Sequence, residues 1–276
     1  MFSVILWLTG CDGTTFRANF NDEEPAFLYE ANTLQQAPSE QDELLVLNYN
    51  IKYGGARLTF FWECEGGRYN MTDEEVYTHL DNLAEFITDV DPDILILQEV
   101  DRSSLRSGYI DQTQYLLDNT PLNYGAYASQ HRVDFLPTDG MGHIDFGNAI
   151  LSRWPISEAT RISLPLVDAY PGYYRYLYLK RHVLTAKIDL PWNDNFYAVN
   201  THLEAFSEED AKLKQINKFH EAKINNHKDV ILWGTGEPLR EFLHVDDLAE
   251  AILFSLINNL ESEIYNVGSG DEISIK

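Results

Sequence analysis

The sequence predicts a layered α/β sandwich. Three observations carry that prediction. Apolar runs of strand length recur between residues 44 and 233, and segments of helical periodicity lie between some of them. Polar residues of catalytic type stand repeatedly where the apolar runs stop. With 276 residues, 44% of them apolar and 13% aromatic, the chain can bury a sizeable core and is not a disordered polymer. No stretch approaches the length of a membrane-spanning helix.

The elements follow in order. Leu44 to Asn48 is a strand-like run leading into Asn50. Thr72-Asp73-Glu74-Glu75 is a capping box, in which Thr72 caps a helix and Glu75 reaches back to it. Val76, Leu80, Leu83 and Ile87 then recur at helical spacing and give that helix one buried face. Asp91-Pro92-Asp93 ends it. Ile94 to Leu97 is continuously apolar, as a strand covered on both faces should be, and delivers Gln98 and Glu99 at its end. Ala149-Ile150-Leu151 is a strand closed by Arg153-Trp154-Pro155, and Val183 to Ile188 alternates more loosely. Phe196 to Asn200 runs into Thr201 and His202. Ser207 caps a further helix with acids in its first turn and Ile216 and Phe219 on its apolar side; Val230 to Trp233 is one more strand.

At the N-terminus a short apolar run, Phe2 to Thr9, ends in Leu8-Thr9-Gly10-Cys11. It has the look of a bacterial lipoprotein signal, without the usual positive leader. Lipidation of Cys11 would place the protein at a membrane, periplasmic or on the cell surface; the alternative is a frayed apolar start on a cytoplasmic protein. Residues 12–42 are polar and acidic and read as a linker. With only Cys11 and Cys64, no disulfide framework is implied.

Lys and Arg total 20 against 44 Asp and Glu, a formal net charge of −24. That argues against tight binding to long nucleic acid, which needs cations to neutralise phosphates. Residues 43–228 carry 27 acids and 17 bases, so the middle of the chain is milder than its ends.

Asn50, Glu99 and His202 all stand just beyond apolar strands, where open α/β sheets place ligands. Singly, each has a bland reading as turn former, surface acid or structural histidine. Together they suit phosphate-ester cleavage. A hard cation such as Mg²⁺ takes oxygen ligands, and Glu99 offers a carboxylate and Asn50 an amide oxygen. His202 is suited to donate to a phosphoryl oxygen as charge builds there.

Four ordered motifs carry a resemblance. Leu47-Asn48-Tyr49-Asn50-Ile51, Asp93 to Asp101, Gly147-Asn148-Ala149-Ile150-Leu151-Ser152-Arg153 and Asn200-Thr201-His202-Leu203 resemble the endonuclease/exonuclease/phosphatase family over about residues 43–232. The resemblance implies a four-layer α/β/β/α sandwich, deoxyribonuclease-like and here C-terminally truncated. It also implies a metal-dependent phosphoric ester hydrolase in which Asn50 and Glu99 bind Mg²⁺ and His202 contacts the phosphate. Asn148 and Arg181 sit where the family often places substrate-binding polar residues. The acidic composition favours a small phosphodiester or a lipid headgroup as substrate.

The family continues with Gly-Asp-Phe-Asn and a late Asp-His pair. Here Val230-Ile231-Leu232-Trp233 is followed by Gly234-Thr235-Gly236-Glu237, with Thr235 at the place of the Asp, and no Asp-His pair follows. A hydroxyl does not replace a carboxylate as base at neutral pH without further activation. Glu204, Asp145 and Glu237 are the carboxylates that could stand in, and an inactive remnant is the other outcome. From Leu232 onward the tail resembles the GDP-L-fucose synthase family, through Trp233-Gly234-Thr235-Gly236, Arg240 to Ala249 and Tyr265-Asn266-Val267-Gly268-Ser269-Gly270. In that family the residues matching Trp233 and Arg240 contact a GDP-sugar. No Gly-x-Gly-x-x-Gly follows a strand early in the 276 residues, which weighs against a nucleotide-sugar epimerase/reductase. The expected organisation is a leader and linker (1–42), an incomplete phosphoesterase domain (43–228) and an epimerase-like fragment (229–276), a fusion.

Overall fold

A computed structural model of the chain describes residues 20–61, 63, 66–136, 142–166, 178–203 and 214–219. At 135–136, 239–241 and 272–274 it describes the backbone alone. The lipoprotein-like signal, the Ser207 cap, the strand at 230–233, Thr235, Glu204 and Glu237 lie outside the described residues. No helix among the described residues is long and apolar enough to cross a membrane. The chain divides into two compact units, Met1–Asn226 and His227–Lys276.

The first unit is built on two sheets. Nine strands form them: β1 (Glu23–Pro25), β2 (Phe27–Glu30), β3 (Val46–Asn50), β4 (Ile94–Asp101), β5 (Tyr124–Leu136), β6 (Gly142–Ser152), β7 (Ile156–Ser163), β8 (His182–Leu190) and β9 (Asn193–Thr201). One sheet runs β2-β5-β6-β4-β3 and the other β1-β7-β8-β9. β3 and β4 are parallel, with Asn50 opposite Gln98; the other pairs are antiparallel. Within the stretch expected as a linker, β1 joins one sheet and β2 the other, so Ala26 steps between them. Two strands this short were invisible as apolar periodicity. In the second unit β10 (Leu239–Glu241) pairs antiparallel with β11 (Glu272–Ser274).

Helix α1 (Asp73–Val90) begins as the sequence predicts. Thr72 accepts from the Glu75 amide at 3.2 Å, and the Glu75 carboxylate accepts from the Thr72 amide at 2.9 Å. Val76, Leu80, Ala84 and Ile87 are its buried stripe. It ends at Asp91, which takes a left-handed conformation (φ 53°, ψ 51°). Helix α2 (Gln112–Asn119) is capped by Asp111, whose side chain accepts from the Gln114 amide.

Alternation along the strands sorts side chains into two cores. Leu95, Leu97, Tyr127, Ala149 and Leu151 face the helices and pack with Ala84, Ile87, Leu116 and Leu117. Ile94, Ile96, Ala126, Ala128 and Ile150 face the other way, onto Ala159, Leu184, Ala186, Ile188 and Ala198 of the second sheet. On the outer face of that second sheet, Phe219 from the helical stretch 214–219 packs with Ile162, Leu164 and Val183. Ile216, expected beside Phe219, is 43% exposed instead.

Candidate functional site

The core between the two sheets turns polar at one end, strand by strand. Inward positions change from Val46 to Asn48 on β3, from Ile96 to Gln98 on β4 and from Ile150 to Asn148 on β6. On the second sheet they change from Leu184 to His182 on β8 and from Ala198 through Asn200 to His202 at the end of β9. Because the antiparallel strands are traversed in opposite senses, all of these changes fall at the same end of the sandwich. Glu99 and His202 approach to 3.9 Å there, and Asn50 and Asn148 lie at strand positions beside Gln98 and Glu99.

Glu99 owes its place to a bulge. Leu97 pairs with Ala149 and Val100 with Gly147, so Gln98 and Glu99 together oppose Asn148. The extra residue is accommodated by a left-handed backbone at Glu99, φ 58°. In such bulges glycine ordinarily holds that position. A side chain there costs of order 1–3 kcal/mol and persists only where the surroundings over-determine it. The bulge re-aims the carboxylate, which stands 3.9 Å from Nε2 of His202, across the gap between sheets. Each of these two side chains is about one-quarter exposed. The sequence places Glu99 beyond a strand, whereas it interrupts a strand that runs on to Asp101. Gln98-Glu99-Val100 contains no glycine or proline to betray the irregularity.

Asn50 ends β3 beside Gln98, and its Oδ1 accepts from the Lys52 amide at 3.0 Å. The turn after it is also unusual, with Lys52 and Tyr53 both at φ 47°. Asn148 is fully buried, and both atoms of its amide lack a hydrogen-bond partner among the described residues. A buried donor and acceptor left open in this way are met by water, an ion or a polar ligand. Arg181 precedes β8; its guanidinium is buried and reaches Gln130 Oε1 at 3.4 Å. It belongs with Lys180 and His182 to a basic run at the head of β8, beside His202.

Two residues whose role sequence reasoning missed, Asn200 and Gln98, hold the site together. Asn200 donates to the carbonyls of Leu97 and Ala149 at 2.7 and 2.9 Å, and its Oδ1 accepts from Gln98 Nε2 at 2.9 Å. Gln98 also donates to Asn48 at 2.8 Å. One asparagine, two residues before His202, thereby fastens the His202 strand to the strand that carries Glu99. Only the order Asn-Thr-His was readable in the sequence; that the Asn crosses to the other sheet was not. Asp145, a carboxylate available as base on sequence grounds, is corrected by its contacts. It is buried on the helix-facing side and accepts from Tyr127 OH, Ser129 Oγ and Arg102 Nη1 at 3.0, 2.5 and 3.1 Å. Its lone pairs are committed to joining β5, β6 and the segment after β4.

His182, at the head of β8, also escaped sequence reasoning. Its ring is wholly buried, and burial first, then Arg161 and Arg181, hold its pKa well below the ordinary 6.5. Below pH 6.5 the unfolded chain takes up a proton that native His182 refuses. Stability is therefore expected to fall by up to about 1.4 kcal/mol per pH unit from there down to the folded-state pKa. In urea unfolding at pH 7.5, 6.5 and 5.5, His182→Gln should lose that slope; identical slopes in both proteins would remove His182 as the cause.

The donor set fits a hard divalent cation. Glu99 and Asn50 supply a carboxylate and an amide oxygen on neighbouring positions of paired strands, and Mg²⁺ commonly takes one or two carboxylates and keeps several waters. A cage of three or more His, Cys, Asp or Glu does not occur among the described residues.

Comparison with known proteins gives two separate likenesses. Residues 195–268 match the NAD dependent epimerase/dehydratase family, beginning inside β9 and earlier than the tail motifs alone indicated. GDP-L-fucose synthase 1 of Arabidopsis thaliana is 48% identical over 85 residues, covering 30% of this chain and 24% of that protein. A probable GDP-L-fucose synthase 1 of Oryza sativa is 50% identical over 84 residues, covering 30% and 23%. The chain thus spans about a quarter of the length of these relatives. Among solved structures, an endonuclease/exonuclease/phosphatase from Beutenbergia cavernae aligns with TM-score 0.46 and 22% identity, over 67% of this chain and 44% of that one. A mannosyl-6-phosphatase from Bacteroides thetaiotaomicron aligns with TM-score 0.42 and 15% identity, over 68% and 62%.

Proposed function

We propose that the polar end of the first unit is a Mg²⁺-dependent phosphoester hydrolase site. The observation that carries this reading is Glu99, held on a strained bulge beside Asn50 and 3.9 Å from His202. Strain of that kind gathers where a side chain must be aimed. Glu99 and Asn50 would hold the cation, which supplies Lewis-acid polarisation of a phosphoryl oxygen. His202 donates to the phosphoryl group as its negative charge grows. Asn148, with its amide open on both atoms, orients the substrate, and the basic run Lys180-Arg181 offsets phosphate charge within an acidic chain. With Asp145 committed elsewhere, the attacking water is activated without a carboxylate base from β6.

In the same reading the helical stretch 214–219 belongs to the outer layer of a four-layer sandwich. A small phosphodiester or a lipid headgroup is the substrate class, in keeping with the net charge of −24, and a lipidated Cys11 would hold the protein at a membrane surface. The test is hydrolysis of bis(p-nitrophenyl) phosphate with Mg²⁺, with EDTA, and in Glu99→Gln. Loss on chelation and in the variant is the expected result; turnover that survives either one ends the reading.

A second reading attaches to the tail, favoured by 48% identity to a GDP-L-fucose synthase over 85 residues. It makes the second unit part of a nucleotide-sugar oxidoreductase, with Trp233 and Arg240 against the GDP-sugar. Calorimetric titration with NADPH in EDTA separates the two readings: heat that persists without a divalent cation belongs to the tail and not to the metal-dependent phosphoester site.

A further inference from the structure

The bulge at Glu99 and the turn after Asn50 are both held in left-handed backbone, and both need bracing from outside their own strands. The same side chain reaches both. Gln112, in the first turn of α2, is 0% exposed. Its Oε1 accepts from the amide of Asp101 at 3.0 Å, two residues beyond Glu99. Its Nε2 donates to the carbonyl of Tyr53 at 2.7 Å, three residues beyond Asn50. The fit is close: a Cβ on Gly54, itself at φ 72°, would lie 3.0 Å from that same Nε2. The amide spans the two chain segments that follow Asn50 and Glu99 on the paired strands β3 and β4.

We infer that Gln112 is a positioning residue, whose single buried amide fixes the strand beyond Glu99 and the turn beyond Asn50 relative to one another. It touches neither the cation nor the substrate. It acts by keeping the two oxygen ligands at one separation, which a hard cation with a strict geometry demands. α2 is able to serve as the anchor because its cap is itself tied down: Asp111 accepts from Tyr29 OH at 2.9 Å, and Tyr29 OH accepts from Arg102 Nε at 3.0 Å.

The inference rests on Glu99 and Asn50 being cation ligands, so its test measures cation binding directly. The probe is Mn²⁺ alone, followed by loss of the free-ion EPR signal on titration into the full-length protein. Gln112→Met removes both hydrogen bonds at similar volume; Gln112→Glu keeps the acceptor for Asp101 and loses the donor to Tyr53. Asn123→Leu is the control. Asn123 is an equally buried amide that donates to Gln35 and Arg153 carbonyls, at the far end of β6. The expected result is a loss of Mn²⁺ affinity of about 10–100-fold in Gln112→Met, as for other residues that orient a ligand. Gln112→Glu, which sets a carboxylate oxygen against the Tyr53 carbonyl, should lose at least as much, and Asn123→Leu should bind as wild type even if its melting temperature falls as far. Amide exchange should quicken at Asp101 in Gln112→Met alone and at Gly54 in both Gln112 variants, and at neither in Asn123→Leu. If Gln112→Met (or, where that fails to fold, Gln112→Glu) binds Mn²⁺ as wild type does, Gln112 is only a packing residue and the phosphoesterase reading stands. If wild-type protein leaves the Mn²⁺ signal unchanged, the phosphoesterase reading falls and this inference with it.

Discussion

Glu99→Gly is expected to raise the stability of the protein while abolishing the metal-dependent phosphoester hydrolysis proposed for the first unit. The argument starts from the backbone. At φ 58° an L-residue crowds its own carbonyl, at roughly 1–2 kcal/mol, and glycine does not. Against this, glycine gives the unfolded chain more freedom to lose, roughly 0.5–1 kcal/mol. The Glu99–His202 contact, at 3.9 Å between two partly exposed side chains, adds at most a few tenths of a kcal/mol. The balance favours the variant by about 0.5 kcal/mol, read as a higher melting temperature in EDTA. The loss of activity is far larger, about 100-fold or more, because the only charged oxygen ligand in the set is gone. Glu99→Gln separates the two effects: it should lose activity equally and gain no stability. A Glu99→Gly protein that melts lower than Glu99→Gln would show that no strain is stored at the bulge.

That bulge marks the boundary of what the sequence made legible. Local rules were readable and came out in the structure: the Thr72–Glu75 box, the Val76-Leu80-Ile87 stripe, the fully buried run from Ile94 to Leu97. Each depends on residues a few positions apart. The approach of Glu99 to His202 was readable only as two strand ends, because proximity across two sheets is a property of topology. What fixes the geometry was not readable at all. Asn200 crossing to Leu97 and Ala149, and Gln112 spanning Asp101 and Tyr53, join residues about 10 to 100 positions apart through single side chains. Asp145 looked like any strand-end carboxylate until three donors were found on it. β1 and β2 escaped notice because three and four residues carry too little periodicity.

The second large effect is expected at Asp101→Asn, a loss of about 3–5 kcal/mol of stability. Asp101 is 0% exposed and accepts from Arg106 Nε at 2.9 Å, Arg106 Nη2 at 2.7 Å and Ser107 Oγ at 2.8 Å. Arg106 lies equally deep, its guanidinium 3.7 Å from the Tyr53 ring centre and 4.7 Å from that of Phe146. A fork of two hydrogen bonds compensates two desolvated charges; removing one charge leaves the other buried without its counter-ion, which accounts for the magnitude. For a unit of this size that corresponds to a fall in melting temperature of roughly 10 °C. The pair itself need not be a net source of stability, since two apolar groups of like shape often do as well. Arg106→Met added to Asp101→Asn should therefore recover most of the loss, with a coupling of about 2 kcal/mol or more in the double-mutant cycle. Additive effects in that cycle, or a single-variant cost below about 1 kcal/mol, would mean that water reaches the pair and the site is not sealed on this side. Because Arg106 lies against Tyr53, whose carbonyl Gln112 holds, the single variant should also loosen the turn after Asn50, seen as faster amide exchange at Gly54 and Gly55.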